Sequence, residues 1–317
     1  MGQLWADTGQ GYLASDILSE KWRTSLQPLT RFRQFCDVEE AVGKGKGEKF
    51  TWKIFGDTVD TGTRELQETE EMPTTSFPIM GGEVTMTEYG ISIPHSLKYE
   101  AMSTFNIPEI ITKTLKNDAN RQFDKLAHAA FDATILQAIG AASGAIALSD
   151  DAVAGGTNTA AMSKDHIKTI RDTMEERNIP VFDGEDYVGI MRPSTIRPVV
   201  DDLEAVFQYV DEGYKRIVNG ERGRYEGVRF VTQTNVASEA WTSALSDAAY
   251  FFGADTVTEA IAIPEELRGK IPSDFGRSMG IAWYYLGAFA ITHADQTTTE
   301  AKAQARIIKW TSDDATA

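Results

Sequence analysis

The sequence predicts an α+β protein whose strands and helices are segregated along the chain and not interleaved as βαβ units, and three observations carry that reading. One apolar stripe of helical period runs for about thirty residues beyond Asn106. Two β-type runs precede it, around residues 50–55 and 84–93. Beyond it, short β-rich runs alternate with turn-rich stretches that carry most of the remaining glycines.

Taken in order, residues 1–47 read as an arm and not as a domain. Trp5, Tyr12, Leu13, Trp22, Phe32 and Phe35 are scattered among polar residues, and the segment ends in Gly43-Lys44-Gly45-Lys46-Gly47. Such a segment lies either on its own domain or on a neighbour. Phe50, Trp52 and Ile54 then alternate with Thr51, Lys53 and Phe55, and Val84, Met86, Ile91 and Ile93 mark a second strand. The stretch 61–78 between them is acidic and turn-rich, so residues 48–93 are predicted to form a long two-stranded hairpin with a polar tip. A lone hairpin is marginally stable in water, and this one leans on its own subunit or on another chain.

Ile111, Leu115, Ala119, Phe123, Leu126 and Ala130 step by three and four, with Ile135, Leu136 and Ile139 extending the stripe. With Asn106 as a cap candidate, Pro108 in the first turn and Gly140 as a stop, a helix over 107–139 is expected, about 50 Å long. Small residues at 141–160 mark a boundary. Beyond it a capped helix is predicted from Ser163 to Arg177, a buried strand at Tyr187–Met191 and a helix opening at Pro193. Further strands are predicted at Val228–Thr232, Ala249–Gly253, Met279–Thr292 and Ala305–Trp310.

Composition narrows the function. The chain is 42% hydrophobic, enough for a sizeable core, and no apolar run approaches the ~20 residues of a membrane helix. The start lacks the basic and apolar regions of a secretory signal. Cys36 is the sole cysteine, which rules out an internal disulfide or a cysteine metal cluster and suits a reducing cytoplasm. The net charge of −16 argues against a protein that grips nucleic acid, since phosphate affinity comes from clustered Lys and Arg. That charge is uneven: residues 1–55 hold eight basic and seven acidic groups, the remainder 23 and 40.

Catalytic patterns do not emerge. The Lys44–Lys46 glycine run lacks phosphate-loop spacing and precedes a strand, so it reads as a hinge. Gly220, Gly223 and Gly227 are turn glycines, not a dinucleotide fingerprint. There is no GxSxG elbow, and His95, His128, His166 and His293 lie too far apart for a zinc motif. The Asp150-Asp151, Asp201-Asp202 and Asp313-Asp314 pairs point apart, as adjacent residues do. No catalytic, metal or cofactor residue is assigned.

Arm, hairpin, spine helix and compact mixed domain, in that order, resemble the major capsid protein of tailed phages with the Hong Kong 97-like fold. Thr87-Glu88-Tyr89-Gly90-Ile91-Ser92-Ile93-Pro94, leading into a helix with Asp118 to Asp124, is similar to the hairpin-to-spine junction of the N4-like coats. The run Gly220 to Val231 is similar to the glycine-punctuated strand entry of the family's axial domain. The resemblance implies an N-terminal arm at 1–47, an extended loop at 48–93, a peripheral domain at 94–159, an axial domain at 160–250 and returning late strands at 251–317. It further implies self-association into hexamers and pentamers of an icosahedral virion shell, built in the host cytoplasm around DNA that is enclosed but not read. A separate scaffolding protein, a portal and a decoration protein are the implied partners, with no membrane and no cofactor. Intersubunit contacts are expected at Trp5, Trp22, Arg31 and Arg33 of the arm, and at Arg64, Glu65, Glu68, Glu70 and Glu71 of the loop. An encapsulin shell, and more remotely a soluble hydrolase or transferase, remain the alternatives.

Overall fold

The computed structural model describes residues 30–313 apart from 41–47, 57–64, 67, 69–70, 73, 104, 153–159, 183, 208–220, 237, 242–243, 272–273 and 294–301. The chain enters through a single helical turn at Arg33–Phe35 and strand β1 (Asp37–Glu40). Next come β2 (Lys49–Phe55), β3 (Ile79–Thr85), β4 (Thr87–Ser96), the short helix α1 (Leu97–Met102) and the spine helix α2 (Ile107–Asp132). The second half holds β5 (Leu136–Gly140), β6 (Ile146–Ser149), α3 (Lys164–Glu176), β7 (Tyr187–Met191), α4 (Pro193–Phe207), β8 (Glu221–Tyr225) and β9 (Val228–Thr232). Strands β10 (Ser238–Trp241), β11 (Ala244–Phe252), β12 (Val257–Gly269), β13 (Ser278–Ile291) and β14 (Ile307–Asp313) complete it.

These strands form three sheets. A four-stranded sheet runs β1-β12-β13-β4, and an eight-stranded sheet runs β6-β5-β14-β11-β7-β9-β8 with β10 paired to β11. The third is the hairpin β2-β3 alone. The larger sheet draws β5 and β6 from the chain before residue 160 and β14 from its end, so the two folded units are discontinuous in sequence.

Three apolar cores hold this together. The expected stripe of α2, Ile111, Leu115, Ala119 and Phe123, is buried and packs on Trp283 and Tyr285 of β13. Helix α3 buries Ile167, Ile170 and Met174 against the larger sheet, where Phe251 and Trp310 are inaccessible. Its first turn is held by His166: Nε2 donates to the Ala141 carbonyl at 2.8 Å, which leaves Nδ1 to accept from the Ser163 N–H at 3.1 Å. Phe32 of the arm occupies the third core with Ala127, Phe131, Tyr250 and Phe252, bridging the two sheets.

Two sequence expectations are corrected. The spine helix ends at Asp132, about 39 Å long, and Ile135, Leu136 and Ile139 belong to the end of the helix–strand link and to β5. All five β5 residues are buried, and a strand buried on both faces is largely apolar, here all but Gln137, so Leu136 and Ile139 prolonged the helical stripe by coincidence. Thr134 marks the switch: its hydroxyl donates to the Ile307 carbonyl at 2.6 Å, beside the parallel pairing of β5 with β14. The hairpin is also shorter than 48–93. It pairs Lys49↔Thr85 through Phe55↔Ile79, and Ile91 and Ile93 lie in β4 against β13. Met86 is the break, its N–H closing on the Glu48 carbonyl at 2.9 Å before the chain turns into another sheet.

Candidate assembly surfaces

Arg31 to Arg33 of the arm are clamped to the body at two places by three carboxylates. Asp124, 1% exposed on α2, accepts the backbone N–H of Arg31 at 2.7 Å and of Phe32 at 2.8 Å through Oδ1. Its Oδ2 accepts the side-chain amides of Gln233 at 2.6 Å and Asn235 at 2.9 Å, beyond β9. One helix residue thereby joins arm, spine and larger sheet, and the four donors make burial of the charge tolerable.

Arg33 forms the second clamp. Its guanidinium lies 4.4 Å from the Phe123 ring centroid, meets Glu259 of β12 at 2.8–3.2 Å and reaches Glu265 at 3.0–3.1 Å. Glu259 is wholly buried and also accepts from the Tyr285 hydroxyl at 3.1 Å. Burial alone would lower the arginine's pKa, but the hydrogen bonds it donates to Glu265 and Glu259 outweigh it and the guanidinium is held more firmly charged. The Arg33 hydrogen bonds hold Glu265 below its ordinary range, while burial and then Glu259 push the Tyr285 phenol upward. Cys36 follows the same logic, its thiol pushed up by burial and then by Glu259. The charge of Arg33 is thus paired within the chain by Glu259 and Glu265.

The opposite condition holds on the hairpin. Along β2 and β3 exposure alternates, one face turned inward and the other to solvent. Phe55, Leu66, Met72, Phe77 and Ile79 are exposed toward its far end, where Glu65, Glu68 and Glu71 are exposed as well. On α1, Leu97, Tyr99 and Met102 are exposed as well. On the turn between β12 and β13, Phe275 is fully exposed and held at a positive φ of 53° between Asp274 and Gly276, also positive. Exposed apolar residues of this kind are candidates for contact with another molecule. Trp5, Trp22, Arg64 and Glu70 lie outside the described residues.

Titratable groups elsewhere have structural employment. His128 Nε2 donates to the Tyr250 hydroxyl at 2.9 Å, which donates to Asp132 at 2.6 Å, and Lys309 meets Asp132 at 2.8 Å. Burial works against the Asp132 charge, but the hydrogen bonds from Lys309 and Tyr250 prevail and hold it low. His293 faces Asp255 at 3.3 Å and His95 faces Glu100 at 3.6 Å. Among the described residues no group of three or more His, Cys, Asp or Glu converges as metal ligands, and no helix is long and apolar enough to cross a membrane. Sequence reasoning missed Asp124, Glu259 and Asp247 as anchors. Asp247, fully buried, takes Arg192 and Ser194 at 2.9 Å each, and nothing in the one-dimensional pattern separates such a carboxylate from a solvated one.

This arrangement of spine helix, twin sheets and projecting hairpin is the Hong Kong 97-like capsid fold. The chain is similar to the capsid of Ralstonia phage GP4, with a TM-score of 0.69, 14% identity, and 99% of this chain and 98% of that one covered. It is similar to the capsid of Helicobacter pylori bacteriophage KHP30, with 0.70, 11%, and 99% of each chain. It is also similar to the capsid of cyanophage Pam1, with 0.68, 13%, and 96% of this chain and 98% of that one. No curated protein matches the chain by sequence. The model of the phage capsid protein family matches residues 100–301, more than half of the chain, and the chain belongs to that family: it is a major capsid protein.

Proposed function

We propose that this chain closes into hexamers and pentamers of an icosahedral head around double-stranded DNA, its arm and hairpin overlapping neighbouring copies. The observation that carries this is the hairpin, whose far end exposes Phe55, Leu66, Met72, Phe77 and Ile79 to water, an arrangement that suits burial against another subunit. The arm residues Trp5, Trp22, Arg31 and Arg33 and the loop residues Arg64, Glu65, Glu68, Glu70 and Glu71 are the candidate contacts, Arg33 being held to the body by Glu259 and Glu265 as well. Residues 160–250, together with β5, β6 and β14 of the same eight-stranded sheet, would form the axial domain, and the rest of 94–159 with the returning strands β12 and β13 the peripheral domain. The Thr87 to Pro94 junction supports a place among N4-like coats. The work assigned is assembly and not catalysis, in the host cytoplasm, with a scaffolding protein, a portal and a decoration protein as partners. The acidic body keeps enclosed DNA off the wall, so the genome is contained without sequence recognition. Deleting residues 61–78 tests the reading: the subunit should stay soluble and folded while closed shells vanish from electron micrographs. Normal particles from the deletion would refute an intersubunit hairpin.

A further inference from the structure

The β2-β3 hairpin has no described partner strand in either larger sheet, yet one of its side chains holds the body. Trp52 Nε1 donates to the Thr292 carbonyl at 2.7 Å, across 240 residues of sequence. Thr292 is a firm receiver. Its N–H donates to the Thr256 carbonyl at 3.0 Å and its hydroxyl pairs with that of Thr258 on β12 at 2.9 Å. The next residue, His293, faces Asp255, which also takes Arg306 at 3.1 Å ahead of β14. The hairpin is therefore tied to the junction where β12, β13 and β14 meet.

The other strand shapes the donor. Trp52 lies opposite Gly82, and a Cβ at that glycine would overlap the indole atoms Cε2, Cζ2 and Nε1. Glycine weakens a strand interior, and its use here clears the space in which the ring lies flat with its N–H aimed at Thr292. Beyond this contact β3 also lies against β13, with Val84 and Thr85 beside Ala288 to Ile291, and Met86 leads on into β4, so the Trp52 hydrogen bond is the polar tie added to an apolar seat.

We propose that Trp52 is a positioning residue for assembly, its indole latched on the Thr292 carbonyl to set the angle at which the hairpin leaves the subunit, and hence the angle between neighbouring copies. This rests on the reading that the hairpin overlaps a neighbour. Trp52→Phe keeps the ring and deletes the donor; Gly82→Ala keeps the donor and displaces the ring. In the full chain, both should speed amide exchange across residues 49–55 and 79–85 by roughly two- to tenfold, the worth of one hydrogen bond, leaving exchange elsewhere and the thermal midpoint unchanged. Shells of both variants should spread in diameter in cryo-electron micrographs. Unaltered hairpin exchange in both variants would overturn the latch. Faster exchange with shells of uniform wild-type diameter would overturn its role in setting geometry. Failure of the underlying reading shows separately, as normal shells from the 61–78 deletion.

Discussion

At the scale of single residues, stability rests on a few carboxylates whose charge is buried only because donors surround it. Glu259 is the sharpest case: removing one partner of a buried pair leaves an uncompensated charge, so Arg33→Met should cost about 3 kcal/mol in chemical denaturation of the isolated subunit. Charge reversal at Arg33 should for the same reason lower the stability of the isolated subunit. Acid should act through the same kind of group. Glu265, Asp132 and Asp255 all have folded pKa values below their ordinary 4.5, 3.8 and 3.8, so what they contribute is complete above those values and disappears as pH falls through the folded ones. Thermal melts should be flat near neutrality and decline below about pH 4.5, the unperturbed glutamate value, with a shallower decline in Glu265→Gln. A melt that rises on acidification would contradict these assignments.

At the scale of elements, the spine helix and the four-stranded sheet stand on one aromatic cluster. Phe123 lies 5.6 Å from Trp283 and 4.7 Å from Tyr285, ring to ring, beneath the Arg33 guanidinium. Phe123→Ala should cost about 3–5 kcal/mol, because the cavity cannot collapse between a helix and a sheet, and should also loosen the arm that Arg33 anchors. Exchange protection around Phe32 reports the second effect. The long antiparallel pair β12-β13 shows how an element hides from sequence. Glu259, Pro264, Glu265 and Glu266 make β12 read as a loop, yet the register slips between Ile261 and Glu266, so that Pro264 sits in an irregular stretch where a ladder N–H is not needed. The turn between β8 and β9 is the contrary case. Glu226 and Gly227, at φ 49° and 73°, make the two-residue turn of a tight hairpin, and the glycine there was visible from the start.

At the scale of the whole molecule, a net charge of −16 must be brought together many times over in a shell. Like-charged subunits repel, and at roughly 0.5 M salt the screening length shrinks to a few ångströms, so raising salt from about 0.05 M should lower the concentration at which shells appear by light scattering. A strong rise would instead identify ion pairs as the dominant intersubunit contacts.

What the sequence determined by itself was the order and type of the elements with strong periodicity: the stripe from Ile111 to Phe123, the alternation at Phe50–Phe55, the buried run Tyr187–Met191 and the aromatic strand ending near Ile291. Each is a local pattern: burial on one face imposes a period on the residues that supply it, and burial on both faces makes Tyr187–Met191 continuously apolar. Tertiary structure alone decided where the helix yields to β5, which sheet receives β4, and which acids are buried. Those outcomes depend on partners such as Ile307, Trp283 and Arg33, and the energy that selects them is that of contacts between residues far apart in the chain.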